Sequence, residues 1–194
     1  MSDVPEDPET FFSVFLAQRF ESASPDLAGF SSIGSVLFRV TGVGEWSLRI
    51  GDGALECVRE MEDDVVLQIT VAPSDFPVLF VEPARRLGAD RPLPRQTAAL
   101  RRLLGNAETS RLVRRVPGSV LVALNQGDRR CQLLVTAGRR RAEVESAECT
   151  VELDFDDWNA AEAGSVSLSD LFVKGKLRIR GNVQIAMALA GALS

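Results

Sequence analysis

Near its carboxy end the chain carries Val183-Gln184-Ile185-Ala186-Met187-Ala188-Leu189-Ala190-Gly191-Ala192-Leu193, eleven residues with one polar side chain. A helix of this composition has no polar face and must be covered almost all round. At about 16 Å it is too short for a bilayer, which needs roughly 20 residues. The seven residues before it narrow the choice of cover. In Lys174-Gly175-Lys176-Leu177-Arg178-Ile179-Arg180 every even position is cationic and every odd one is Gly, Leu or Ile. The spacing predicts a strand over 174–180 with its charges, Lys174 included, facing outward and Leu177 and Ile179 facing in. Gly181 ends that strand and Asn182 caps the helix.

Upstream, the period moves between 3.6 and 2. Residues 1–7 form an acidic lead, and Asp7 caps a helix running from Pro8 to about Phe20. Phe11 and Phe15, Phe12 and Leu16, and Leu16 and Phe20 stand four apart and give it an aromatic face. Four strands are expected between residues 33 and 71, with Gly51-Asp52-Gly53 as a hairpin turn, followed by a helix from Ser74 to about Val81. Residues 83–96 hold three prolines and four arginines and read as a linker. A helix from about Arg95 to Leu104 follows. The second half then echoes the first. Gly118-Ser119-Val120-Leu121 repeats Gly34-Ser35-Val36-Leu37. Gly138 matches Gly53, Thr150-Val151-Glu152-Leu153 falls on Val66-Leu67-Gln68-Ile69, and Asp157-Trp158 falls on Asp75-Phe76. Four matches in one order predict an internal duplication.

Composition removes several classes of function. The 194 residues contain no histidine and no tyrosine. That excludes histidine-based triads and dyads, His-ligated metals and tyrosine acids. No metal site and no cofactor are expected. Cys57, Cys131 and Cys149, without CxxC spacing, read as free thiols. The amino terminus lacks a cationic segment followed by an apolar one, so a cytoplasmic location is expected. Net charge is −5, which disfavours nucleic acid. Residues 83–118 nevertheless hold nine arginines against Asp90 and Glu108. They form either a solvated face or a patch for transient contact with an anionic membrane.

Phe172-Val173-Lys174-Gly175-Lys176-Leu177-Arg178-Ile179-Arg180-Gly181-Asn182, with Ala186-Met187 beyond it, resembles the carboxy-terminal signature of the sterol carrier protein (sterol-transfer) domain. Ala147-Glu148-Cys149-Thr150-Val151 followed by Asp157-Trp158 is similar to the strand leading into that family's central helix. The resemblance covers about residues 96–194 and reaches residues 10–82 through the repeat. It implies an α/β sandwich, a twisted mixed five-stranded sheet covered by helices on one face, here partly duplicated. The implied division is 8–82, a degenerate sterol-carrier-like half; 83–96, the linker; and 97–194, the lipid-binding domain. The resemblance further implies an apolar tunnel for fatty acyl, sterol or isoprenoid-like lipids. Its candidate lining is Trp158, Leu171, Phe172, Leu177, Ile179, Ile185, Met187 and Leu189.

Three functions compete on this reading. The first is non-catalytic binding or transfer of a hydrophobic small molecule. The second is an interaction module with a collapsed tunnel. The third, an enzyme, would rest on a thiol or on Asp154, Asp156 and Asp157, which lack a metal-loop pattern and suit a helix start, Asp157 at the cap.

Overall fold

The computed structural model describes residues 4–23, 29–87 and 102–193. Eight strands form one sheet: β1 (Ser35–Val40), β2 (Gly44–Gly51), β3 (Ala54–Val58), β4 (Val65–Val71), β5 (Ser119–Gln126), β6 (Arg129–Ala137), β7 (Cys149–Asp154) and β8 (Arg178–Gly181). Their order is β3-β2-β1-β4-β6-β5-β7-β8. The expected five-stranded sheet is therefore corrected to eight. The reason lies at the centre, where β4 does not end a sheet but pairs antiparallel with β6, Ile69 opposite Val135. β1 pairs antiparallel with β2 and parallel with β4, and β5 pairs antiparallel with β6 and parallel with β7.

Cross-strand partners share a face, so the registers sort the side chains. One face carries Val36, Phe38 and Val40 of β1, Trp46, Leu48 and Ile50 of β2, and Leu67, Ile69 and Val71 of β4. It continues through Leu133 and Val135, Val120, Val122 and Leu124, Cys149, Val151 and Leu153, and ends at Ile179. The opposite face carries Arg39, Arg49, Glu56, Gln68, Asn125, Arg130, Glu152, Arg178 and Arg180. Its apolar members Leu121 and Leu134 pack under Ala142, Val144 and Ala147 of the β6–β7 connection.

The α-helices lie on the apolar face, as one-sided patterning requires. They are α1 (Pro8–Thr10), α2 (Leu16–Ala23), α3 (Glu82–Leu87), α4 (Ala107–Arg114), α5 (Phe155–Glu162), α6 (Leu168–Val173) and α7 (Val183–Leu193). Two π-helical turns interrupt the regular helix, Phe11–Phe15 between α1 and α2 and Pro77–Val81 before α3. The caps at Asp7 and Asn182 are present: Asp7 Oδ1 accepts from Thr10 N–H and Asn182 Oδ1 from Gln184 N–H.

The structure also revises local detail. The strand expected over 174–180 begins at Arg178, because Gly175 (φ 70°) ends α6 in a left-handed turn. The N–H groups of Lys176 and Leu177 then return to the Leu171 carbonyl, and Lys174 is exposed. α3, whose last turn holds Arg85 and Arg86, covers the first residues of the segment read as linker. The helix start expected at Asp157 lies at Asp154, leaving Asp157 in the first turn, where Lys176 Nζ reaches it at 2.8 Å. Finally, α4 went unforeseen although Asn106 caps it by accepting from Glu108 and Thr109 N–H. The rest of the linker, to residue 96, and residues 95–101 of the helix expected up to Leu104 fall outside the described residues.

Candidate functional site

Three core clusters divide the space between sheet and helices. Phe11, Phe12, Phe15, Trp46 and Phe76 dominate the first. Phe12 is fully buried, 4.9 Å from Phe38, 5.1 Å from Trp46 and 5.7 Å from Phe76, ring centre to ring centre. The second cluster joins Leu103, Leu104, Val113, Ile185 and Leu189 to Val36, Leu67, Val120 and Cys149. The third joins Phe155, Leu171 and Leu177 to Leu124, Cys131 and Leu153, with Trp158 beside them.

Between the second and third clusters runs a row that solvent still reaches. Ile179, Val151, Val122 and Leu133 are direct neighbours across β8, β7, β5 and β6. All four face the helices, yet each is half-buried, while Val120, Leu124, Cys149 and Leu153 in the same strands are buried. Ile179, Val151 and Val122 pack against both clusters. Leu171, Leu177 and Trp158 belong to or pack against the third cluster, Ile185 and Leu189 to the second.

Six of the eight residues singled out in the sequence, Trp158, Leu171, Leu177, Ile179, Ile185 and Leu189, lie in or against these two clusters. Phe172 and Met187 do not: they are 55% and 64% exposed. Helix geometry is the cause. Leu171 is the inward residue of α6, and Phe172 is turned about 100° from it. In α7 the inward pair is Ile185 and Leu189, four apart, and Met187 lies midway between them on the far side. Sequence reasoning missed Val122, Val151 and Leu133. The alternation of 120–124 and 149–153 held the signal, since both strands place one apolar set on the face that Ile179 shares.

Burial pushes the thiols of Cys131 and Cys149 above their ordinary range, and that of Cys57 to about 11, with Glu9 adding to the rise. A cleft of about 410 Å³ opens at the end of β7, where Asp154, Asp156 and Asp157 meet Lys176. Among the described residues no cluster of three metal-ligating side chains occurs. No described helix is long and apolar enough to cross a membrane.

Comparison with known families settles the class. The model of the SCP-2 sterol transfer family matches residues 98–194, half of the chain. The chain belongs to the SCP-2 sterol transfer family. Among solved structures it is similar to sterol carrier protein 2 of Yarrowia lipolytica in its apo form, at 19% identity over 42% of this chain and 76% of that one, with a TM-score of 0.33. It is also similar to the SCP2-like 2 protein of Aedes aegypti, at 17% identity over 50% and 95%, with a TM-score of 0.33. Domain 2 of the sterol carrier protein of Helicoverpa armigera is 18% identical over 49% and 79%, with a TM-score of 0.34. No curated protein matches the chain. The SCP-2 match contains Ile179, Val151, Val122 and Leu133 with Trp158, Leu171, Leu177, Ile185 and Leu189; β1 to β4 lie outside it.

Proposed function

We propose that the protein is a non-catalytic binder or carrier of a hydrophobic small molecule, a fatty acyl, sterol or isoprenoid-like lipid. The observation that carries this reading is the half-buried row Ile179-Val151-Val122-Leu133, lying between sheet and helices within the part matched to the SCP-2 family. The row would form the floor of an apolar trough in which a tunnel of that kind runs, with Trp158, Leu171, Leu177, Ile185 and Leu189 as its walls. Binding would be partition: an apolar tail leaves water at roughly 0.8 kcal/mol per buried methylene. Ten such groups supply about 8 kcal/mol before ordering costs, in the micromolar range. No residue need perform chemistry, and no cofactor or nucleic acid enters. Native mass spectrometry with organic extraction tests the reading. Co-purifying lipid is expected, together with uptake of a fluorescent fatty acid; a reproducibly empty protein that ignores the probe would refute it.

The exposure of Phe172, Val173 and Met187 favours a second reading, an interaction module of a larger complex. A stable partner together with no lipid uptake would select it. A cytoplasmic location and transient contact of the Arg-rich middle with anionic membranes complete the proposal.

We also infer that the chain arose by partial duplication, with 8–82 as the degenerate copy, 83–96 as the join and 97–194 as the lipid-binding copy. The pairing pattern supports this. Read across the sheet, β3-β2-β1-β4-β6 runs antiparallel, antiparallel, parallel, antiparallel, and so does β4-β6-β5-β7-β8. Two five-stranded units sharing β4 and β6 account for all eight strands. In the parallel pairs Val36 stands beside Leu67, and Val120 beside Cys149. Cys149 rather than Val151 is then the counterpart of Leu67, two positions from the match by residue type and on the same face.

A further inference from the structure

The row ends at Leu133, where the first half of the chain meets it. Leu133, the last residue of the floor, sits opposite Val71 and packs against the aromatic cluster. There the helical segment formed by the Pro77–Val81 turn and α3 packs into the core clusters. Its base is pinned to β6: Asp75 Oδ2 accepts from Gln132 N–H at 2.9 Å, and Arg129 Nη2 donates to the Ser74 carbonyl at 2.7 Å. From that base the segment divides its side chains between two compartments. Val78, 2% exposed, belongs to the cluster of Leu171 and Leu177, whereas Val81 and Ala84 belong to the aromatic cluster, and Leu79 packs against both. Arg86 places its guanidinium over the Phe155 ring, 5.5 Å from the centroid, and ties the far end of the segment to α5. All of these first-half residues lie outside the part matched to the SCP-2 family.

We infer that Val78 and Leu79 form the end stop of the lipid trough, so that the amino-terminal half sets how long an acyl chain the carboxy-terminal half accepts. The inference rests on the lipid-binding reading above. Four strands at about 4.8 Å spacing give the floor a span of about 14 Å, and the stop decides whether a longer tail can continue beyond it. Beyond it lies the aromatic cluster, where Phe12, Trp46 and Phe76 are each at most 1% exposed and leave no continuation. The ligand class that fits is a single-chain fatty acid, selected by length.

The test compares octanoate with stearate, each displacing the fluorescent fatty acid cis-parinarate from the full chain. In Val78→Trp the stearate affinity should fall roughly tenfold with octanoate unchanged, the equivalent of excluding about two methylenes. In Val78→Ala the stearate-to-octanoate affinity ratio should rise about threefold. Should Val78→Trp fail to melt cooperatively, Val78→Ala decides alone. A ratio equal to that of the unsubstituted protein in the folded variants overturns the end stop while leaving lipid binding intact. An unsubstituted protein that binds neither fatty acid nor cis-parinarate overturns both.

Discussion

The Ser119 hydroxyl donates to the Glu148 carboxylate at 2.9 Å across 29 positions of sequence, and the Ser35 hydroxyl donates to Asp64 at the same distance across the same separation. Both serines are fully buried at the start of a central strand. In each case the acidic residue also takes an arginine: Arg140 reaches the Glu148 carboxylate, and Arg114 the Asp64 carbonyl. A buried hydroxyl needs an acceptor, and the carboxylate before the parallel strand supplies it.

Glu148 also accepts the Ser119 N–H, and its carbonyl accepts the Asn182 N–H at the start of α7. Desolvation pushes its pKa up, but the bonds from Ser119 and Arg140 outweigh this and hold it at about 2. The folded value lies below the ordinary 4.5, so its contribution to stability is complete above pH 4.5 and is lost as the pH falls toward 2. Glu148→Gln should lower stability by about 1–2 kcal/mol at pH 7, discounting for the half-exposed Arg140. Thermal melts of both proteins should converge as the pH is lowered from 4.5 to 2.

Gly181 holds the same corner from the other side. Its φ is 82°, and a Cβ there would stand 2.3 Å from the Glu148 carbonyl oxygen. Gly181→Ala would combine a left-handed backbone with a backbone clash. A loss of at least about 2 kcal/mol is expected, lowering the Tm by about 4–8 °C in a chain of this size. Calorimetry on the variant checks it.

These corners show what the sequence could disclose. The Gly-Ser-Val-Leu repeat and the alternation of residues 177–180 were legible because period and turn chemistry are local. Leu177 and Ile179 accordingly point to the helices, and Asn182 caps α7. The eight-strand sheet was not legible, because whether β4 is an edge or pairs with β6 depends on contacts between segments about 70 residues apart. The exposure of Phe172 and Met187 was not legible for a related reason. In helices that are apolar on several sides, as α6 and α7 are, composition does not state which side meets the sheet. Val78 gave no signal either, since its role arises where one half of the chain meets the other.

The aromatic cluster of the first half should contribute stability and no binding capacity. Phe12 touches Phe38, Trp46, Phe76 and Phe80 with no exposed surface. Phe12→Ala should cost about 3–5 kcal/mol, measured by urea denaturation, since the surrounding rings cannot collapse fully into the space. Below the denaturation range the folded variant should keep the fatty-acid affinity of the parent. A loss of affinity at full folding would mean that the two compartments are coupled through the segment carrying Val78.

Ile179 and Met187 offer the sharpest contrast among the residues singled out by sequence. Both are apolar and lie eight residues apart, but Ile179 is half-buried on the helix-facing side of the sheet beside Val151 and Met187 is 64% exposed on α7. Replacing each with serine removes a similar apolar volume. Met187→Ser should leave stability within about 0.5 kcal/mol and fatty-acid affinity unchanged. Ile179→Ser places a hydroxyl under the acyl chain and removes three carbons from its contact surface. At roughly 25 cal/mol per Å² of lost apolar contact this should weaken cis-parinarate binding about tenfold, read by fluorescence titration. The reverse ranking, with Met187→Ser the more damaging, would move the binding surface from the trough to the outer side of α7.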